Sequence, residues 1–134
     1  MAFSPGAREA MRMGWYRIRL DLARTRAFPE GSRAHHLVLC VPLDPLQIVD
    51  ADAVRSAPAR ATVVRSQPDQ PETRGYLIPK AGGWVFSGGG RGGGEPLFHV
   101  EAHPLRVGEF VTVTEPDGAA LTYEITSCEA LELA

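Results

Sequence analysis

The chain has 134 residues, of which 44% are hydrophobic and 22% charged, and its net charge is −2 at neutral pH. This length suits one domain that buries roughly two-thirds of its unfolded surface, and the composition is ordinary for a globular protein. No apolar run approaches the length that crosses a bilayer and the N-terminus lacks a secretory signal, so we expect a cytoplasmic chain with free thiols and no membrane partner.

The first predicted element is a strand in the stretch GWYRIRLDLAR. Tyr16, Ile18 and Leu20 fall on one face, and Arg17 and Arg19 fall on the other. A period of two is typical of a strand that is buried on one side only. The residues before this stretch do not continue the pattern, which predicts a flexible N-terminal extension over residues 1–14 and a single domain over residues 15–134.

The next segments predict a strand, a helix and a second strand. Residues 36–43 (HLVLCVPL) are a continuous apolar run, typical of a strand buried on both sides. The stretch IVDADAVRSA is the best helix candidate, because Asp50 or Asp52 can cap its start and Pro58 follows its end. RATVVRS reads as a strand, and SQPDQPET as an exposed loop.

The second half of the chain predicts only strands and turns. GYLIPK and WVFS flank residues 81–83, a hairpin connection, and PLFHVEA follows a glycine-rich segment. EFVTVT and LTYEITSC surround the turn-forming residues 116–118. Seven to eight short strands and one short helix predict an all-β fold, either a small antiparallel β-barrel or a two-layer sandwich.

The glycine-rich segment GGGRGGGEP does not match a phosphate-binding loop. Such a loop needs a lysine and a hydroxyl residue after its last glycine, at the start of a helix, whereas Glu95 and Pro96 follow here. A single arginine, Arg91, is also a poor anchor for RNA. We therefore interpret the segment as a flexible connection, and expect that shortening it, or deleting residues 1–13, costs little stability.

A metal site is one alternative function. His99, Glu101 and His103 alternate along one predicted strand and so share a face. His99 and Glu101 would lie about 6.6 Å apart, close enough to share zinc or iron, whereas His103 would lie about 13 Å from His99 unless the chain bends. The alternative to a metal site is a solvent-exposed strand face on which the histidines have no ligand. The sequence indicates no other cofactor.

The sequence does not favour covalent catalysis. Cys40 lies within an apolar run and is expected to be packed and inert, whereas Cys128 is expected on the polar, accessible face of the last strand. No nucleophile-elbow stretch of the form GxSxG is present. We therefore lean against an enzyme.

Single-stranded nucleic-acid binding is the other alternative function. Arg17 and Arg19 share an outward face with Trp15, and a barrel face with arginines and an aromatic ring can hold nucleic acid by charge and stacking. An isoelectric point near 6.1 argues against it, because domains of this kind usually carry excess positive charge.

Three stretches together, YRIRLDLARTRAFPEGS, GGWVFS and HPLRVGEFVTVTEPDG, followed by YEITS, resemble a group of small hypothetical proteins from proteobacteria. The likeness runs from about residue 15 to the end. It implies a compact unit that starts near Tyr16 and a polar loop in place of GGGRGGG. No activity is known for the group, so the resemblance implies no catalytic or binding residue.

These observations favour a non-enzymatic small β-barrel that binds a protein or small-molecule partner through its mouth or a face. We expect a monomer or a small homo-oligomer. Alternation along the strands, and for Trp84 its place beside the glycine-rich segment, predict the binding surface Arg17, Arg19, Trp84, His99 and Glu101.

Overall fold

The computed structural model describes residues 14–24, 29, 31–80, 83–88, 96–101, 103–114 and 118–131, without the side chains of residues 32, 33, 87, 96–99 and 101. Eight strands, one α-helix and one 3-10 helix are found in these ranges. In chain order they are β1 (Gly14–Leu22), β2 (Ser32–Leu43), α1 (Ala51–Ser56), the 3-10 helix (Pro58–Arg60), β3 (Thr62–Gln67), β4 (Gln70–Lys80), β5 (Gly83–Gly88), β6 (Pro96–Glu101), β7 (Phe110–Thr114) and β8 (Ala120–Ala130).

The strands form a closed up-and-down barrel. Each strand pairs antiparallel with the next one in the chain, and β8 returns to pair with β1. This arrangement confirms the predicted all-β barrel, and closure leaves no free sheet edge for another chain to extend. Among the described residues, the fewest pairs join β6 and β7, namely His99 with Thr114 and Val100 with Val113.

The barrel interior is filled by alternate side chains of the strands. Ile18, Leu20, Leu37, Phe86 and Ile125 belong to one continuous buried cluster. The apolar cavity among them measures about 10 Å³, which is no more than the space one water molecule needs. The interior is therefore a packed core, as in other barrels of eight strands whose side chains fill the centre.

The predicted helix is confirmed and begins with the predicted cap. The Asp50 carboxylate accepts a hydrogen bond from the Ala53 amide at 3.2 Å, and Val54 is the buried residue of α1. The 3-10 helix that follows places the Arg60 guanidinium over the ring of Trp15, 4.4 Å from its centroid. No described helix has the length and apolar character needed to span a membrane.

A register shift in β8 corrects the prediction for Cys128. Arg19 pairs with Ser127 and Leu20 pairs with Ile125, so one extra residue is accommodated in β8. Beyond this bulge the alternation is inverted, and Cys128 lies opposite the buried Ile18. Cys128 packs against the core instead of facing solvent, and burial raises the pKa of its thiol above the ordinary value.

Two further sequence interpretations are corrected. The expected exposed loop SQPDQPET belongs largely to a hairpin, because Gln67 pairs with Gln70 across a two-residue turn. The run HLVLCVPL is buried on one side only: Leu37 and Leu39 lie in the core, whereas Cys40 is partly exposed and lies opposite the exposed Arg17. The predicted N-terminal extension lies outside the described residues, apart from Gly14, which starts β1.

Candidate binding face

The outward positions of β4 carry an unusual order of side chains. Arg74, Tyr76, Ile78 and Lys80 are all exposed, and they alternate with Gly75, Leu77 and Pro79, of which the first two are buried. Tyr76 keeps 45% and Ile78 39% of its surface accessible. We call the set Arg74, Tyr76, Ile78 and Lys80 the β4 stripe: a cation at each end and two large apolar side chains between them.

The neighbouring strands extend the apolar surface on both sides of the β4 stripe. Tyr76 pairs with Thr62, Arg74 pairs with Val64, and Ile78 pairs with Val85. Val64 and Thr62 in turn pair with Val38 and Cys40 of β2. These neighbours of the stripe on β2, β3 and β5 are half-buried. Together with the two apolar residues of the stripe they form what we call the β2–β5 face, which consists of Val38, Cys40, Thr62, Val64, Tyr76, Ile78 and Val85.

This composition departs from what an antiparallel barrel normally shows to water. An antiparallel strand with one face in the core usually alternates apolar inward and polar outward residues. In β2 and β4 some of the outward positions are also apolar, as Val38 and Ile78 show. An exposed apolar patch on a soluble domain commonly marks an interaction site.

A surface depression of about 270 Å³ lies over β3 and β4 and is lined by Thr62, Val63, Val64, Arg74, Gly75 and Tyr76. Pockets that hold drug-sized ligands or cofactors typically enclose about 300–1,000 Å³ and bury most of the ligand. The depression lies just below this range and is lined by residues of two strands only, so it suits one large side chain of a partner better than an enclosed cofactor.

The charges around the β2–β5 face are mainly positive. Arg74 contacts Glu72 at 3.4 Å, and Glu72 also accepts a hydrogen bond of 3.4 Å from the Ser66 hydroxyl. Neither Lys80 nor Arg60 takes part in an ion pair with a described residue. The hydrogen bond from the Leu77 amide to the Ala61 carbonyl continues the register of β3 and β4 and brings the backbone of Arg60 near Ile78, but the Arg60 guanidinium lies over Trp15 of β1.

Arg17 and Arg19 lie outside the β2–β5 face and are engaged with acids of their own fold. The Arg17 guanidinium lies 3.9 Å from Glu129, and the Arg19 Nε donates to Asp21 at 2.9 Å. Arg19 also lies 3.4 Å from the Nδ1 atom of His36. The positive charge expected for nucleic-acid binding is thus largely offset at these two positions.

The two tryptophans are not exposed. Trp84 is 5% accessible and belongs to the core, so it is not part of an accessible surface as the sequence led us to expect. Trp15 is 9% accessible and lies beneath Arg60. The ring expected to stack on a nucleic-acid base is therefore covered by the chain itself.

The predicted metal-binding residues are only partly described. The register pairs His99 with Val85 and Glu101 with Gly83, but their side chains lie outside the described part of the structure. His103 lies beyond the end of β6, with its Nε2 atom 3.7 Å from Glu109 and its Nδ1 atom 2.6 Å from the Pro104 carbonyl oxygen. Among the described side chains no group of three His, Cys, Asp or Glu residues could hold a metal ion, so this site stays a prediction.

The sequence analysis missed the β4 stripe, although a signal for it was present. HLVLCV and YLIP are both continuous apolar runs. Such runs are typical of strands that are buried on both faces. In a barrel with a filled interior, half of each run must point outward. Two such runs on strands separated only by β3 therefore predict an apolar outer face.

Comparison with known proteins gave no match: no family model, no curated protein and no solved structure is significantly similar to the chain. The resemblance to small proteobacterial proteins stays a prediction.

Proposed function

We propose that the chain is a non-catalytic binding module that holds another protein on its β2–β5 face. The observation that carries this proposal is the exposure of Tyr76 and Ile78 at the centre of an apolar outer surface. Burial of such a surface by a partner removes apolar area from water, which is the main favourable term in most protein association.

A protein suits this face better than a small molecule. The cavity among the described core residues measures about 10 Å³, which is too small for a ligand. The outer depression of about 270 Å³ is open and lined by two strands only. A partner that lies across several strands can use the depression together with the apolar side chains beside it, whereas a small ligand would bury little of its own surface there.

A protein also suits the face better than nucleic acid. Nucleic-acid affinity comes largely from cations that neutralise phosphates, and Arg17 and Arg19 each already contact a carboxylate. The centre of the β2–β5 face is apolar instead of cationic. Both cysteines are free, which is the usual state in a reducing compartment and supports the proposal of a cytoplasmic binding function.

The proposal can be tested by selecting binders from a phage-displayed library of random and natural peptide segments against the immobilised protein. The selected binders are then measured against Tyr76→Ala and Ile78→Ala. Phe110→Ala is the matched control, because Phe110 is an aromatic residue at an outward position of β7 with 55% of its surface exposed.

We expect the selected binders to lose at least about tenfold in affinity to Tyr76→Ala, as is usual for a central aromatic contact, and to bind Phe110→Ala unchanged. Binders that tolerate both Tyr76→Ala and Ile78→Ala would overturn the proposal. Failure to select any binder tighter than about 100 µM, the weak end of transient association, would overturn it as well.

A further inference from the structure

We propose that the occupant of the β2–β5 face is an extended segment of another protein, in which apolar residues lie between acidic ones. This inference rests on the proposed function and deepens it, because it names the chemistry of the partner. It is carried by the order of charges along the β4 stripe, from Arg74 through Tyr76 and Ile78 to Lys80.

The spacing of the stripe sets the length of the segment. Arg74 and Lys80 are six residues apart on one strand, which corresponds to about 20 Å. An extended segment of about seven residues covers the same distance. A carboxylate at each end then reaches a cation, and the apolar residues between them lie over Tyr76, Ile78 and the depression beside Val64.

The segment must bind through side chains. At the centre of the β4 stripe, Tyr76 pairs with Thr62 of β3 and Ser87 of β5, and Leu77 pairs with Phe86 and donates to the Ala61 carbonyl, so the described backbone there has no free edge for a further strand. A partner segment therefore cannot bind here by adding a strand to the sheet, although many extended peptides bind in that way. Specificity must come from charge and from the shape of the depression.

The cations of the β4 stripe favour an acidic segment. Lys80 is exposed and forms no ion pair with a described residue. Arg74 contacts Glu72 only at 3.4 Å, and its side chain is 76% exposed, so several of its five donor hydrogens can meet a second carboxylate.

A second copy of this chain does not fit the same charges. In a two-fold pair that stacks one β4 stripe on the other antiparallel, Arg74 of each copy meets Lys80 of its mate. If the stripes run parallel, Arg74 meets Arg74 and Lys80 meets Lys80. Both arrangements place like charges together, which opposes association.

The N-terminal residues 1–13 of the chain do not match the charges of the β4 stripe either. This segment carries Arg8 and Arg12 against the single acid Glu9, so its net charge has the same sign as the ends of the β4 stripe. An acidic segment from a different protein is the occupant that the charges favour.

The test uses three fluorescein-labelled heptapeptides, EEVLVEE, its charge-reversed form KKVLVKK, and EEGSGEE, which lacks the apolar centre. Their binding to the full-length protein is followed by fluorescence anisotropy at low and high salt. We expect EEVLVEE to bind in the micromolar range typical of small, transient interfaces, and the other two to bind at least about tenfold more weakly.

Charge reversal on the protein gives the sharper readout. Lys80→Glu and Arg74→Glu should each weaken EEVLVEE by at least about tenfold, and the double variant should now prefer KKVLVKK. Arg17→Glu is the control, because Arg17 is an exposed cation on β1, outside the β4 stripe, and should leave EEVLVEE affinity within about twofold. All three substitutions are at exposed side chains, and circular dichroism checks that the variants fold.

Several outcomes overturn the inference. If EEVLVEE does not bind, whereas library binders depend on Tyr76 and carry no acidic residues, the inference fails and the proposed function stands. If neither EEVLVEE nor any library binder depends on Tyr76, both fail. If a labelled single-stranded oligothymidine binds more tightly than EEVLVEE, the occupant of the β2–β5 face is nucleic acid and not a protein segment.

Two further measurements exclude the remaining occupants. If analytical ultracentrifugation shows that the chain is a dimer and that Tyr76→Ala abolishes the dimer, the occupant of the β2–β5 face is a second copy of the chain. A gain of more than about tenfold in EEVLVEE affinity on deletion of residues 1–13 would make it the chain's own N-terminal segment, since an internal competitor lowers the apparent affinity by the fraction of time it occupies the site. We expect neither result.

Discussion

The Nε atom of Arg19 donates a hydrogen bond of 2.9 Å to the Asp21 carboxylate on the outer side of β1. The second carboxylate oxygen accepts a bond of 2.9 Å from the Thr126 hydroxyl, and Thr126 is the extra residue that the bulge of β8 accommodates. The Asp21 side chain is only 8% exposed. A buried carboxylate therefore links β1 to the point where the register of β8 changes.

Replacing Asp21 should destabilise the barrel, because Asp21→Ala leaves both the Arg19 guanidinium and the Thr126 hydroxyl without this acceptor. Breaking a largely buried charged pair typically costs about 3–5 kcal/mol, and the partial exposure of Arg19 reduces the expected loss to about 2–3 kcal/mol. Urea unfolding measures the change. The matched control is Glu129→Ala, whose exposed pair with Arg17 spans 3.9 Å and should contribute less than about 1 kcal/mol. Equal losses in the two variants would contradict the role given to Asp21.

Trp84→Ala should reduce stability strongly, because Trp84 is 5% exposed and packs in the core. Truncation of a buried aromatic to alanine typically costs about 3–5 kcal/mol, and Leu20→Ala and Ile125→Ala should each cost about 2–5 kcal/mol. Tyr76→Ala, in contrast, should change the free energy of unfolding by less than about 1 kcal/mol. Thermal or urea unfolding of the four variants tests the order. A Tyr76→Ala loss as large as that of Trp84→Ala would show that Tyr76 belongs to the core.

Cys128 should react slowly with thiol reagents at neutral pH. Burial raises the pKa of its thiol, and the reactive thiolate therefore forms at higher pH in the folded chain than in the unfolded one. The same shift means that the free energy of unfolding is highest below the ordinary thiol pKa and falls as pH rises through the raised, folded-state pKa of Cys128, because burial penalises the thiolate. Labelling of Cys40→Ala, in which Cys128 is the remaining thiol, should show a higher midpoint pH when folded than in concentrated urea. A midpoint that is equal or lower in the folded protein would contradict the inward placement.

The seam between β6 and β7 should be the first part of the barrel to open. In the part of the chain that the structure describes, two residue pairs join these strands, whereas nine join β1 to β2. Regions with few paired residues exchange their amide hydrogens through low-energy local opening. Hydrogen exchange followed by NMR should therefore show less protection in β6 and β7 than in β1 and β2. Uniform protection around the barrel would indicate a stronger seam than this pairing provides.

The sequence predicted the fold from its strongest periodic segments. Tyr16, Ile18 and Leu20 alternate with polar residues, and the cap at Asp50 is a local signal that needs no tertiary information. The side of Cys128 could not be predicted, because the bulge near Thr126 depends on how β8 meets β1 and the sequence TSC carries no glycine or proline to mark it.

The binding face was missed for a different physical reason. In YLIP every residue is apolar, so alternation alone cannot decide whether Leu77 or the pair Tyr76 and Ile78 points inward. The pairing of Leu77 with the buried Phe86 decides it in the folded chain. Trp84 illustrates the same limit, since its inward position follows from register with Val100 and not from its proximity to the glycine-rich segment.

The most direct test of the binding face is an NMR titration of the isotope-labelled protein with the tightest binder selected from the library. The account predicts that the shifted signals cluster on Val64, Tyr76, Ile78 and Val85, and that Tyr76→Ala abolishes the shifts at equal binder concentration. Shifts confined to the exposed apolar residues of the turns and β7, namely Leu46, Val107 and Phe110, with the β2–β5 face unchanged, would contradict it.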